Sequence, residues 1–111
     1  MIFRPVKLEE KREIKNFLKD IFDKEFDDSY LSENNNPTVL EVEGKIIGFL
    51  TYFTILDEAE IFLIAVKKEF QGSGYGKILL EYLLNRLKEK GVKICHLEVS
   101  SKNFKAINLY K

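Results

Sequence analysis

Residues 61–66 read Ile61-Phe62-Leu63-Ile64-Ala65-Val66, and after Lys67-Lys68-Glu69-Phe70 the chain continues Gln71-Gly72-Ser73-Gly74-Tyr75-Gly76-Lys77. The first run is apolar without alternation, which predicts a strand covered on both faces. Leu79, Leu80, Leu83, Leu84 and Leu87 then recur at helical spacing, which predicts an amphipathic helix beginning at the glycines. A helix start leaves several amides without intrahelical partners and carries partial positive charge. Glycines there let the backbone turn and approach a ligand without an intervening side chain. In physical terms this is a cradle for pyrophosphate.

Two other phosphate motifs fail on these residues. Gly76-Lys77 is followed by Ile78, and Gln71 stands where the first Walker A glycine belongs. The dinucleotide pattern fails because Lys77 occupies the third glycine position after Gly72 and Gly74. Spacing alone leaves two readings equally open: a phosphate cradle, or a glycine-rich turn that only joins strand to helix.

The elements on either side extend the pattern. Lys88 and Lys90 fall in the last helical turn, where cations suit the dipole, and Gly91 predicts its end. Lys93–Val99 reads as a further strand, and Asn103–Lys111 as a last helix. Toward the N-terminus, Ile2–Val6 reads as a first strand. Leu8, Ile14, Phe17, Leu18, Ile21 and Phe22 predict an amphipathic helix over about Leu8–Phe22. Asn34-Asn35-Asn36-Pro37 marks a loop. Thr38–Glu43, Ile46–Thr54 and Glu60–Val66 read as three strands, with turns at Gly44-Lys45 and Asp57-Glu58. The two strands flanking the leucine-rich helix form a parallel crossover, and the earlier ones are antiparallel. The predicted class is α/β, one mixed sheet with flanking helices, in a single domain over 1–111.

Composition narrows the function classes. The chain has 111 residues, 45% hydrophobic, with 18 basic and 18 acidic residues and a net charge of zero. A nucleic-acid surface would call for a basic excess, so none is expected. The lone Cys95 can form neither an internal disulfide nor a zinc site, and no metal is expected. The opening Met1-Ile2-Phe3-Arg4-Pro5 is neither a signal peptide nor a membrane span; a soluble cytoplasmic protein without a membrane role is expected.

Gln71-x-x-Gly74-x-Gly76, after a buried strand ending in Ala65-Val66 and before a leucine-rich helix, resembles the acetyl-CoA signature of the GNAT family of N-acetyltransferases. The similarity runs through Leu97-Glu98-Val99, Asn103, Ala106, Ile107 and Leu109-Tyr110, covering about half of the chain. It is strongest to RimI-type N-terminal protein acetyltransferases, carried by Leu56–Val66 and by the block from Leu97 to Tyr110. The resemblance implies that the amides of Gln71, Gly72, Ser73, Gly74, Tyr75, Gly76 and Lys77 hold the pyrophosphate of acetyl-CoA. It implies that the strand through Ile64, Ala65 and Val66 pairs with the pantetheine arm. It makes Glu98 the general base and Tyr110 the general acid, with Asn103 near the cofactor. In the family two further strands follow the last helix, so the resemblance implies a C-terminally truncated fold. That leaves strand Lys93–Val99 as a bare edge, and association into a homodimer is expected.

The chemistry suits these residues. An amine attacks a thioester only as the free base, so a carboxylate that takes its proton helps. Strand alternation puts Ile94, His96 and Glu98 on one face and Cys95, Leu97 and Val99 on the other. Glu98 could instead cap the last helix or pair with a lysine. A phenol such as Tyr110, titrating near pH ~10, is nearly matched to a thiol at ~8.5, though Tyr110 could equally serve as a core aromatic beside Phe104 and Ile107. Asn103 is also a good N-cap. His96 is given no role, and the position of Cys95 away from Glu98 argues against an acyl-cysteine route and for direct transfer in a ternary complex. The acids Asp23, Glu25, Asp27, Asp28 and Glu33 would favour a cationic acceptor such as a basic protein N-terminus, or are simply a solvated loop. The proline-tryptophan pair often seen there in RimI-type proteins is absent. Two other functions stay open: acetylation of a small amine such as a polyamine or amino acid, and CoA binding without turnover.

Overall fold

The computed structural model describes residues 1–97 and 107–108. Six strands occur among them: β1 Ile2–Pro5, β2 Thr38–Val42, β3 Lys45–Ile55, β4 Glu58–Val66, β5 Ile94–Leu97 and β6 Ile107–Asn108. They lie side by side in chain order. β1 to β4 form an antiparallel meander, β4 and β5 run parallel, and β6 returns antiparallel to β5. Helix α1 (Lys11–Phe22) connects β1 to β2, and α2 (Tyr75–Glu89) makes the β4–β5 crossover. No helix among the described residues is long and apolar enough to cross a membrane.

Local chemistry accounts for the turns. Glu43 and Gly44, at φ 52° and 79°, supply the two left-handed residues that a tight hairpin between twisted strands requires. The turn therefore falls one residue earlier than Gly44-Lys45. The β3–β4 turn is made by Leu56, also left-handed at φ 56°, and Asp57. Helix α2 ends as expected, with Gly91 at φ 83° just beyond it.

Each helix buries one apolar stripe against one face of the sheet. Ile14 and Leu18 of α1 are fully buried with Val39, Phe49 and Leu63. Leu79, Leu83 and Leu87 of α2 are fully buried with Leu40, Leu50 and Ile61 on the other face. Each such side chain contributes about 1.5–3 kcal/mol relative to exposure. Leu8 does not belong to the stripe: the chain starts with a 3-10 turn at Leu8–Glu10, and Leu8 stays 78% exposed. Helix α2 packs tightly on the sheet at Gly48, where an added Cβ would lie 2.7 Å from Leu79 Cδ1.

The C-terminal expectation needs correction. Within the segment read as a last helix, Ile107 and Asn108 are extended and pair with Cys95 and Ile94. The edge of β5 is thus covered over these residues rather than bare. An unpaired strand edge is a template for any extended chain within reach, and helical periodicity in the sequence does not register that demand.

Candidate functional site

The chain leaves β4 at Val66, and the Lys67 amide donates to Ile47 O at 2.9 Å. One 3-10 turn, Lys68–Phe70, carries it to Gln71. The Gln71 side chain reaches back, with Nε2 donating to Val66 O at 2.9 Å, and its backbone amide donates to Lys68 O at 3.2 Å. Gln71 therefore ties the loop to the end of the strand. Gly72 and Gly74 follow at φ 85° and 89°, a conformation that favours glycine. The first bond of α2 into this loop runs from the Ile78 amide to Gly74 O at 3.1 Å. The amides of Gly72 through Lys77 meet no backbone acceptor among the described residues.

A Cβ added at Gly72 or Gly74 would meet nothing within 4 Å, and one at Gly76 only Val66 Cγ2 at 3.9 Å. Open space therefore lies beside this row of donors. Gly72, Ser73, Gly74, Gly76 and Lys77 are exposed. Tyr75 is half-buried, edge-on to Phe70 with ring centroids 6.2 Å apart, and so anchors the helix start. Consecutive amides at the positive end of a helix suit a phosphate or pyrophosphate group.

The strand feeding the loop carries a feature that the sequence reading missed. Thr51 pairs with Leu63 but Tyr52 pairs with Ile61, so Phe62 is an extra residue, a β-bulge. Its ring stacks on Phe53 at 5.8 Å and 5°. A bulge bends its strand and strengthens the local twist. Here it falls where the described pairing with β5 ends, at Ile61↔Leu97. It thereby sets the direction of the segment bearing Ile64, half-buried, and Ala65 and Val66, both buried. Beside the bulge, the fully buried Thr51 has an Oγ1 without a partner among the described residues. No local signal for this bulge exists in Ile61-Phe62-Leu63, which reads as a uniform strand.

On β5 the alternation holds. Cys95 is fully buried, and burial pushes its thiol up to about 11, so it is no thiolate nucleophile at neutral pH. Ile94 and His96 face outward, and His96 Nε2 lies 2.9 Å from Glu58 Oε1. Glu98, Asn103 and Tyr110 lie outside the described residues.

The acidic segment is largely engaged. Asp28 pairs with Lys15 at 2.8 Å and Glu25 with Lys19 at 2.7 Å. Asp27 accepts from the Ser29 amide at 2.9 Å. The two lysine pairs fasten the segment to α1. All three carboxyls are held below their usual range, chiefly by hydrogen bonds from Lys15 to Asp28, from Lys19 to Glu25 and from the Ser29 hydroxyl to Asp27.

The chain as a whole matches a known family. Its model, described as the acetyltransferase (GNAT) family, matches residues 5–111. The chain belongs to the GNAT family. Among its relatives are [ribosomal protein bS18]-alanine N-acetyltransferases. The protein from Haemophilus influenzae is 51% identical over 60 residues, 54% of this chain and 41% of that protein. The one from Escherichia coli is 42% identical over 72 residues, 65% of this chain and 49% of that protein. The chain thus spans about half the length of the curated relatives it matches. The solved ribosomal-protein-S18-alanine N-acetyltransferase from Escherichia coli superimposes with a TM-score of 0.80 at 26% identity, covering 92% of this GNAT chain and 68% of that chain. The mixed α/β architecture expected from the resemblance is therefore met.

Proposed function

We propose that this GNAT chain binds acetyl-CoA and transfers its acetyl group to an amine, the N-terminal α-amine of a protein. One observation carries the reading: the amides of Gly72 through Lys77, without acceptors among the described residues, line open space at the positive end of α2. In this reading those amides hold the pyrophosphate, and Gln71 keeps the loop in register with Val66. The β4 backbone from Ile64 to Val66 orients the pantetheine arm. Acetyl-CoA supplies a thioester carbonyl open to attack by a free amine. Glu98 takes the proton from the attacking nitrogen. The N–C bond forms as the C–S bond breaks, and Tyr110 protonates the departing sulfur. Asn103 is assigned a place close to the cofactor.

The relatives' action on an alanine of a ribosomal protein supports a protein N-terminus over a polyamine or free amino acid. Engagement of Glu25, Asp27 and Asp28 within the protein leaves Asp23 and Glu33 as the acids of that segment available to a basic acceptor. A second copy is not part of this reading, since β6 occupies the edge of β5 at Ile94 and Cys95.

Calorimetry with acetyl-CoA tests the cradle. Gly74→Asp adds a carboxylate beside the phosphates and should abolish measurable binding; unchanged affinity in a folded variant would overturn it. A panel of alanine-starting basic peptides, polyamines and amino acids tests the acceptor. Glu98→Gln should lower turnover by a factor on the order of 10² with acetyl-CoA affinity kept. Binding without transfer to any amine would establish the non-catalytic alternative instead.

A further inference from the structure

A second polar groove lies far from the glycine loop, along the C-terminal half of α2. We propose that this groove binds a phosphate-type anion. It encloses about 650 Å³ between α2, the ends of β1 and β2, and the first turn of α1. Along α2, Tyr82, Arg86 and Lys90 follow Gly74 by roughly 12, 18 and 24 Å at about 1.5 Å per residue. None of the loop glycines lines the groove, so the two sites are distinct.

Three cations line it without an ion-pair partner among the described residues: Lys11, Arg86 and Lys90. Arg4, also at the groove, is already taken by Glu10 and Glu41 at 2.7 and 2.8 Å. Elsewhere Lys15, Lys19, Lys67 and Lys68 each face a carboxylate within 3.8 Å. Other cations without an ion-pair partner among the described residues, such as Lys45, Lys77 and Lys88, lie outside this groove, so Lys11, Arg86 and Lys90 are distinguished by sharing one concavity. In a chain with as many acids as bases, cations left without counter-charges around one concavity set up a positive field that an anion would relieve.

The helix dipole explains only part of this arrangement. It favours Arg86 and Lys90 near the end of α2, but it disfavours Lys11 in the first turn of α1. The groove is also built. Its wall is Phe3 stacked on Tyr82 at 3.8 Å and 2°. The Tyr52 residue, only 4% exposed, brings its hydroxyl to within 3.5 Å of Lys90 Nζ. That hydroxyl accepts from Lys90 and meets no acceptor for its own proton among the described residues. The planar fork of Arg86 suits two phosphate oxygens at once, while Lys11 and Lys90 act as point charges. Glu33 is the one unpaired acid on the lining, and it is exposed.

Inorganic phosphate and AMP, titrated separately into isotope-labelled protein, test the proposal by NMR. Signals of Tyr52, Arg86 and Lys90 report the groove, and those of Gly72 and Gly74 report the loop, so failure of one site does not bear on the other. Saturable shifts at the groove are expected with either probe. Tighter binding of AMP would identify a phosphate carried on a larger molecule, and equal binding would identify the free ion. Arg86→Gln with Lys90→Gln should weaken groove binding by roughly tenfold or more, as loss of charge-assisted hydrogen bonds implies. Lys11→Gln should weaken it less, and Lys88→Gln, which does not line the groove, should leave it unchanged. Shifts that grow linearly without saturation, or saturation unchanged by the double substitution, would overturn the assignment.

Discussion

Gly48→Ala puts the packing that carries the glycine loop under direct test. The new Cβ would lie 2.7 Å from Leu79 Cδ1, 3.3 Å from Ala65 O and 3.5 Å from Leu40 Cβ. Carbon atoms in contact prefer ~3.5–4.0 Å, so the first distance is short by about 1 Å. Leu79 is flexible in principle, but it is fully buried, and close-packed interiors leave it nowhere to go. Ala65 O belongs to the neighbouring strand and cannot yield independently. Overpacking of this kind costs about 1–3 kcal/mol. Replacing glycine returns about 0.4–1 kcal/mol through the unfolded chain, so destabilisation wins. At roughly 4–8 °C per kcal/mol for a domain near this size, the melting temperature should fall by several degrees. Leu79 follows Lys77 by two residues, so any shift of α2 away from the sheet also moves the loop amides, and acetyl-CoA affinity should fall in the same variant. A double-mutant cycle with Leu79→Ala separates the clash from general strain. Leu79→Ala alone costs about 2–5 kcal/mol, but in the alanine background it removes the clash and should cost less. Additivity within about 0.5 kcal/mol, or an unchanged melting temperature, would refute the close approach of α2 to β3.

Three further outcomes are expected. Hydrogen bonds from Arg4, aided by the Lys7 amide, hold the Glu10 carboxyl at about 2 against an ordinary 4.5. Its contribution to stability is therefore complete above pH 4.5 and is lost as pH falls toward 2; Glu10→Gln should flatten that acid limb in urea titrations, and an unchanged limb would discard the Arg4 clamp. Cys95, with its thiol pushed up by burial to about 11, should resist alkylation at pH 8 until the protein is unfolded, and rapid labelling of the native state would contradict its burial. Gln71→Ala should raise the KM for acetyl-CoA and leave kcat nearly unchanged, since the amide side chain holds the loop to Val66; an equal loss in kcat would place it in the chemistry instead.

Much of the meander and both helices were legible because their signals are local. The leucine stripe of α2, the terminator Gly91 and the alternation around Cys95 each depend on neighbours a few residues away. The Phe62 bulge was not legible, because it is a mismatch between β3 and β4 and exists only in their pairing. The left-handed Leu56 carries no glycine or asparagine to announce it. For Ile107 and Asn108 the N-cap Asn103 and the spacing of Phe104, Ile107 and Tyr110 point to helix, whereas strand pairing with β5 answers a requirement set elsewhere in the sheet. The acidic run read either as an acceptor surface or as a solvated loop, and only the positions of Lys15 and Lys19 on α1 turn Asp28 and Glu25 into ion pairs.

The two proposed anion sites differ in the same way. Phosphate at the glycine loop would be met by backbone amides, and amides are presented by consecutive residues whose conformations glycine permits. Such a site is written contiguously, and a reader of the sequence can find it. The groove at the far end of α2 depends instead on side-chain charge from Lys11, Arg86 and Lys90, which come from two helices separated by three intervening strands. No spacing rule joins them, and in the sequence each is an ordinary surface cation. Only their convergence on one concavity, visible once the fold places them around Tyr52, sets them apart from other cations without carboxylate partners. Substitutions that spare the glycine motif can therefore erase the groove, and the groove's charges can change while the proposed acetyl-CoA cradle persists.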